Sequence, residues 1–190
     1  MIMSMCRKIC VTNRGLAVHD FSEQIKRVLD TEPYGIILRE KDLKEKDYSI
    51  LAEQVAELCH GTETKLILHS FPEVADKLGI RALHMPLHKF LEMPKMQKKK
   101  FSALGVSVHS LMDAVSAEKG GATYLTAGHI FVTDCKKGLA PRGLEFLEEV
   151  CRSVSIPVYA IGGIHEENMD SCIHAGAAGV CMMSEYMKLW

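Results

Sequence analysis

Short apolar runs alternate with amphipathic stretches from one end of this 190-residue chain to the other, and that rhythm constrains the fold more than any single motif. The runs fall at Lys8–Thr12, Gly35–Arg39, Lys65–His69, Ala82–Met85, Leu104–Val108, Tyr124–Gly128, Val158–Ile161 and Gly179–Met183. They read as continuous apolar segments, as strands buried on both faces of a parallel sheet do. Between them the spacing predicts helices over Phe21–Asp30, Asp47–Cys59, Leu111–Lys119, Leu144–Ser153 and Glu166–His174. In Asp47–Cys59 the residues Tyr48, Leu51, Ala52, Val55, Ala56 and Cys59 form one apolar stripe. An unbroken series of strand–helix units indicates an α/β fold, a single-domain (β/α)8 TIM barrel over residues 1–190.

Two segments depart from the rhythm. Pro86 and Pro94 make Pro86–Lys100 an irregular fourth connection rather than a full helix. After Ser184 only Glu185–Trp190 remains, so the final helix is short. An incomplete outer layer exposes apolar surface that a second subunit could cover, with Met187 and Trp190 as the homodimer candidates. A fraying terminus explains the same residues equally well.

Composition excludes several classes. A formal net charge of −1 gives no global field for nucleic acid or membrane, and 47% hydrophobic content is that of a globular domain. The basic run Lys95–Lys100 reads as a solvated loop. The cysteines at 6, 10, 59, 135, 151, 172 and 181 form no CxxC pair and are odd in number, which points to a reducing cytoplasm rather than a disulfide framework. The N-terminal MIMSMCRKIC has no apolar stretch of signal or anchor length.

In a (β/α)8 barrel the chemistry lies at the C-terminal strand ends. There the sequence places Arg39 and Lys41, His69 and Ser70, His84, Ser107 and His109, then His129, Thr133 and Lys136, and finally Gly162, Gly163, Met183 and Ser184. Glycines after the seventh strand and a short helix after the eighth are the usual elements of a phosphate site, where backbone N–H groups face the anion. Taken singly, each glycine reads equally as a strand terminator. His129 is a group able to move protons at neutral pH, although a lone strand-end histidine is more often structural. His69, His84, His109 and His129 together raise a zinc alternative, and His84 and His88 have i,i+4 spacing. Pro86 between them and the lack of a carboxylate cluster rank that alternative lower. Cys135 beside Lys136 and Lys137 has the setting of an activated thiol, but nothing else marks it as a nucleophile.

GVSVH at 105–109, Gly121-Ala122, GHIFVTDCKKG at 128–138, PVYAIGGI with Asn168 behind it, and AGAAGVCMMS at 175–184 resemble the thiamine phosphate synthase/TenI superfamily of small barrels. LREKDL resembles its R-x-K element after the second strand, and the likeness runs the length of the chain. Within the superfamily, the histidine and the TDCKKG loop look like the TenI-type thiazole tautomerases, because synthases more usually have proline where His129 stands. Synthases also have aspartates after strands three and four that hold magnesium; here those stretches read LILHSFPEVA and ALHMPLHKF.

The resemblance implies an isomerase that aromatises a dihydrothiazole carboxylate phosphate without metal or other cofactor. His129 would transfer the proton, as base, acid or both. Gly162, Gly163, Met183 and Ser184 would hold the phosphate, while Arg39, Lys41, Ser107, Thr133 and Lys136 would contact the substrate. Two alternatives stand beside it: a thiamine phosphate synthase dependent on Mg²⁺, and a non-catalytic module that binds a phosphate ligand.

Overall fold

The computed structural model describes residues 6–136 and 138–190, the side chain of Cys135 excepted. Its strands are β1 (Arg7–Val11), β2 (Gly35–Leu38), β3 (Lys65–His69), β4 (Ala82–Pro86), β5 (Ala103–Val108), β6 (Tyr124–Gly128), β7 (Val158–Ile161) and β8 (Gly179–Met182). Each pairs in parallel with its neighbour in sequence, and β8 closes onto β1, so the sheet is a complete eight-stranded barrel. The helices are α1 (Phe21–Asp30), α2 (Glu45–Cys59), α3 (Pro72–Lys77), α4 (Leu87–Glu92), α5 (Lys95–Lys98), α6 (Leu111–Lys119), α7 (Gly143–Ser153), α8 (Met169–His174) and α9 (Ser184–Met187).

Alternate strand residues separate into two layers, which explains why the strands read as unbroken apolar runs. Ile9, Val11, Ile37, Ile67, Tyr124, Tyr159 and Cys181 fill the barrel interior. Their neighbours, among them Cys10, Ile36, Leu38, Leu68, Leu83, Val106 and Val180, face the helices. The stripe on α2 meets that outer layer through Tyr48, Ala52, Val55 and Cys59. Tyr48 does more than pack: its hydroxyl donates to Leu38 O at 2.6 Å and accepts from His69 N at 2.8 Å, tying the ends of β2 and β3 together.

The local signals match the helix starts. Asp20 caps α1 through Ser22 N, and Ser110 caps α6 through Asp113 N. The fourth connection holds two short helices broken at Met93–Pro94, where the sequence predicts irregular chain. The six-residue α3 was not expected, because its apolar positions are too few to show a helical period. The final helix is short, as expected, but Met187 is fully buried and therefore belongs to the core rather than to a subunit contact. Gln24 on α1 holds this end of the chain by donating to Tyr186 O and Leu189 O. Trp190 is exposed and meets the His19 ring edge-on at 5.5 Å. No described helix is long and apolar enough to cross a membrane.

Candidate active site at the C-terminal mouth of the barrel

Cations gather at one side of the mouth. Arg39 follows β2 and is half-buried, its N–H donating to Thr12 Oγ1 at 2.9 Å. The next residue, Glu40, turns its buried carboxylate to Thr12 Oγ1 (2.6 Å) and to Arg14 N (3.1 Å), and so fixes the loop that carries Arg39 and Lys41. Burial lowers the Lys41 ammonium's affinity for its proton, and the positive charges of Arg39, Lys136 and Lys89 lower it further. Side chains from the β2 loop, α4 and the turn after β6 therefore bring positive charge to one place. Lys89 was missed at the sequence level, because the irregular fourth connection carries no strand-end signal.

Below these cations lies a buried polar cluster. His84 Nε2 is 2.8 Å from Ser107 Oγ and 3.3 Å from Thr126 Oγ1, while Nδ1 is 3.0 Å from the Tyr124 hydroxyl. The close approach needs Gly105, since a Cβ there would sit 2.0 Å from Tyr124 Cζ and 2.5 Å from His84 Nδ1. The His69 ring stacks on His84 at 5.9 Å and hydrogen-bonds Ser70 Oγ at 2.9 Å. Burial, the neighbouring His84 and the cations Arg39, Lys41 and Lys89 push His69 down to about 2. Burial and Arg39 push His84 down to about 3. Both rings are neutral at physiological pH and act as hydrogen-bonding groups, not as charges.

His129 stands in the loop after β6. It follows Gly128 through a cis peptide. Ile130 N donates to Ile161 O and Phe131 N to Gly162 O, which extends the pairing of β6 with β7. The loop then returns: Arg142 N donates to His129 O at 2.9 Å, and Gly143 N to Ile130 O at 3.1 Å. This fold-back buries His129 and brings its Nε2 to 3.4 Å from Leu139 O. His129 lines a cavity of about 400 Å³ with His109, Lys136, Leu139, Ala140, Pro141 and Arg142. In the same lining, His109 Nδ1 donates to Gly128 O at 2.8 Å.

The expected phosphate-binding glycines have a packing role as well. Gly162 has φ +100°, and a Cβ on it would lie 2.4 Å from His129 Cβ. Gly163 has φ +67°, and a Cβ on it would lie 2.3 Å from Val132 O. The space freed by both glycines is thus taken by the His129 loop itself. Asn168 steadies this end by donating to Gly163 O and accepting from His165 N, both at 2.9 Å. Ser184 opens α9 directly after Met183, and the adjacent Glu185 is held by His165 at 2.7 Å.

The structure therefore brings His129 and Lys136 together, sets Arg39 and Lys41 beside Lys136 electrostatically, and places Ser107 in the His84 cluster. Thr133 is half-buried in the loop after His129 and does not line the described cavity. The i,i+4 spacing raised for zinc fails on geometry: His84 is a strand residue inside the barrel, His88 is exposed on α4, and no helix joins them. The Cys135 thiol and Lys137 lie outside the described residues.

A synthase-type magnesium site does not fit the donors present. At the ends of β3 and β4 stand His69, Ser70 and His84, which are poor partners for a hard cation that favours carboxylate oxygen. Among the described residues no group of three or more His, Cys, Asp or Glu is placed to hold a metal ion.

Residues 9–186 match the family model described as thiamine monophosphate synthase, TMP-TENI. The chain belongs to this family. It is 32% identical over 186 residues to a putative thiamine-phosphate synthase 2 of Aquifex aeolicus, covering 98% of this chain and all 100% of the relative. It is 33% identical to the thiamine-phosphate synthase of Clostridium acetobutylicum, covering 92% of this chain and 83% of that one. The thiamine phosphate pyrophosphorylase structure from Pyrococcus furiosus superposes with a TM-score of 0.83 at 27% identity, covering 97% of this chain and 88% of that one. The family places the chain in thiamine biosynthesis, and these relatives carry synthase names, the activity that the sequence reading set second.

Proposed function

We propose that this family member is a thiazole tautomerase that aromatises the dihydrothiazole carboxylate phosphate of thiamine biosynthesis without a metal. The observation that carries this reading is the buried His129, which lines a cavity with His109 at the C-terminal mouth, with histidines rather than carboxylates at the ends of β3 and β4. The substrate's phosphate would lie at Gly162, Gly163, Met183 and Ser184. Its carboxylate would face Arg39, Lys41, Lys89 and Lys136, where mutual repulsion of the cations favours an anion. Ser107 and Thr133 would add hydrogen bonds. One proton leaves the ring carbon that bears the carboxylate and another joins the exocyclic alkene carbon, so atoms and electrons balance. The gain in aromaticity drives the equilibrium, and the protein supplies a proton path through His129 worth ~10²–10⁴-fold.

The second reading is the synthase, favoured by the names of the relatives. One assay separates the two: aromatisation followed with EDTA present, for the wild type and for His129→Asn. Metal-independent turnover lost in the variant supports the tautomerase. Product formed only with Mg²⁺ and a pyrimidine pyrophosphate supports the synthase. Tight binding without turnover leaves a binding module. The free thiols among the described cysteines favour a cytoplasmic setting for this activity.

A further inference from the structure

We propose that His109 is a second catalytic residue, the base that accepts the substrate proton while His129 supplies the other; this rests on the tautomerase reading above. A carbonyl oxygen only accepts hydrogen bonds, so His109 Nδ1, 2.8 Å from Gly128 O, carries the ring's proton. In the neutral ring the lone pair then lies on Nε2. The same logic places a proton on His129 Nε2, which faces Leu139 O. The two rings that line one cavity are thus set oppositely, one with a bare Nε2 and one with a protonated Nε2.

The backbone holds His109 in that pose. Its N–H donates to Asp113 Oδ2 at 2.9 Å, while Ser110 Oγ caps Asp113 N at 3.0 Å. The carbonyl that fixes the His109 tautomer belongs to Gly128, the residue before His129, so the rings are positioned through one peptide. An exposed residue anchored at its backbone N–H by Asp113 and at its ring by Gly128 O, with a defined tautomer, is organised for more than solvation.

In the step itself, the C–H bond at the carboxylate-bearing carbon breaks and its proton goes to His109 Nε2. The electron pair moves through the ring to the exocyclic carbon, where a new C–H bond forms with the proton given up by a His129 ring that solvent has loaded on both nitrogens. No atom is oxidised or reduced overall, and solvent resets both rings.

The experiment compares the wild type, His109→Ala and His109→Asn on the dihydrothiazole carboxylate phosphate, with and without free imidazole. The expected result is a fall in kcat of ~10²-fold or more in both variants, with KM changed less than about threefold. Free imidazole, which fits the cavity, should restore His109→Ala at least about tenfold. His109→Asn keeps an amide donor for Gly128 O and decides the case should the alanine variant not fold. Full activity in His109→Asn, or a loss in folded His109→Ala that imidazole does not rescue, overturns the inference and leaves the tautomerase reading intact. A wild-type chain inert toward the substrate removes that reading, and this one with it.

Discussion

The two mouths of the barrel both carry cations but treat them in opposite ways. At the N-terminal mouth Arg7 lies over the Tyr34 ring at 4.7 Å and Lys65 Nζ at 4.4 Å, with Lys65 also donating to the Tyr34 hydroxyl at 2.9 Å. Arg7 reaches the Tyr159 hydroxyl at 3.4 Å, a contact that holds its guanidinium above the usual value. Hydrogen bonding from Lys65 lowers the Tyr34 phenol. Each charge there is matched by a ring face or an oxygen. At the C-terminal mouth burial, and after it the charges of Arg39, Lys136 and Lys89, depress Lys41, above histidines that burial keeps neutral. Stacked cations stabilise the fold, whereas repelling cations are stabilised by a bound anion.

Acid should show the largest difference between the mouths. His69 and His84 have folded values of about 2 and about 3 against 6.5 unfolded, so the unfolded chain binds more protons between those limits. Their contribution to stability is complete above 6.5 and is lost as pH falls through that window, at up to about 1.4 kcal/mol per pH unit for each ring. Urea melts at two pH values should show this slope, and His69→Gln should flatten it. An unchanged slope in His69→Gln would break the contrast.

The next effect is on binding. Arg39→Ala and Lys41→Ala should each raise the Kd for the product carboxythiazole phosphate about 10–100-fold, the loss of a charge-assisted hydrogen bond worth ~1.5–3 kcal/mol. Lys41→Ala should not lower the melting temperature appreciably, since it removes a buried ammonium that its neighbours repel; isothermal titration and thermal melts test both points. Gly105→Ala tests packing beneath the cations. A methyl 2.0 Å from Tyr124 Cζ must displace the ring that holds His84, at about 1–3 kcal/mol and several degrees in Tm. The smallest effect belongs to the lower mouth: Tyr34→Leu should cost roughly 0.5–1 kcal/mol for each stacked cation and leave ligand affinity unchanged. A shift in Kd for Tyr34→Leu would show that the mouths are coupled.

Much of this arrangement was legible in the order of residues. Tyr124–Gly128 and Lys65–His69 were bounded correctly because apolar runs stop where polar or glycine residues begin. His129 and Lys136 share a short loop, so sequence proximity was enough to bring them together. Lys89, Glu40 and the Tyr124–His84–Ser107 cluster were not legible. Their partners come from different strand–helix units, and no local spacing reports a contact made across the barrel. At Gly162 and Gly163 the space where a Cβ would stand is filled by the loop from His129 to Val132, a packing contact that no spacing in the sequence reports.

By itself, the sequence determined the barrel, the rim where chemistry collects and the histidine that the proposed reaction depends on. Periodicity and strand order are local properties, and parallel closure of eight such units has few solutions. Only the tertiary structure decided which histidines are buried and neutral, which one shares a cavity with His129, and which cations repel one another. Those outcomes depend on desolvation and on distances between residues far apart in the chain, which no reading along one dimension contains.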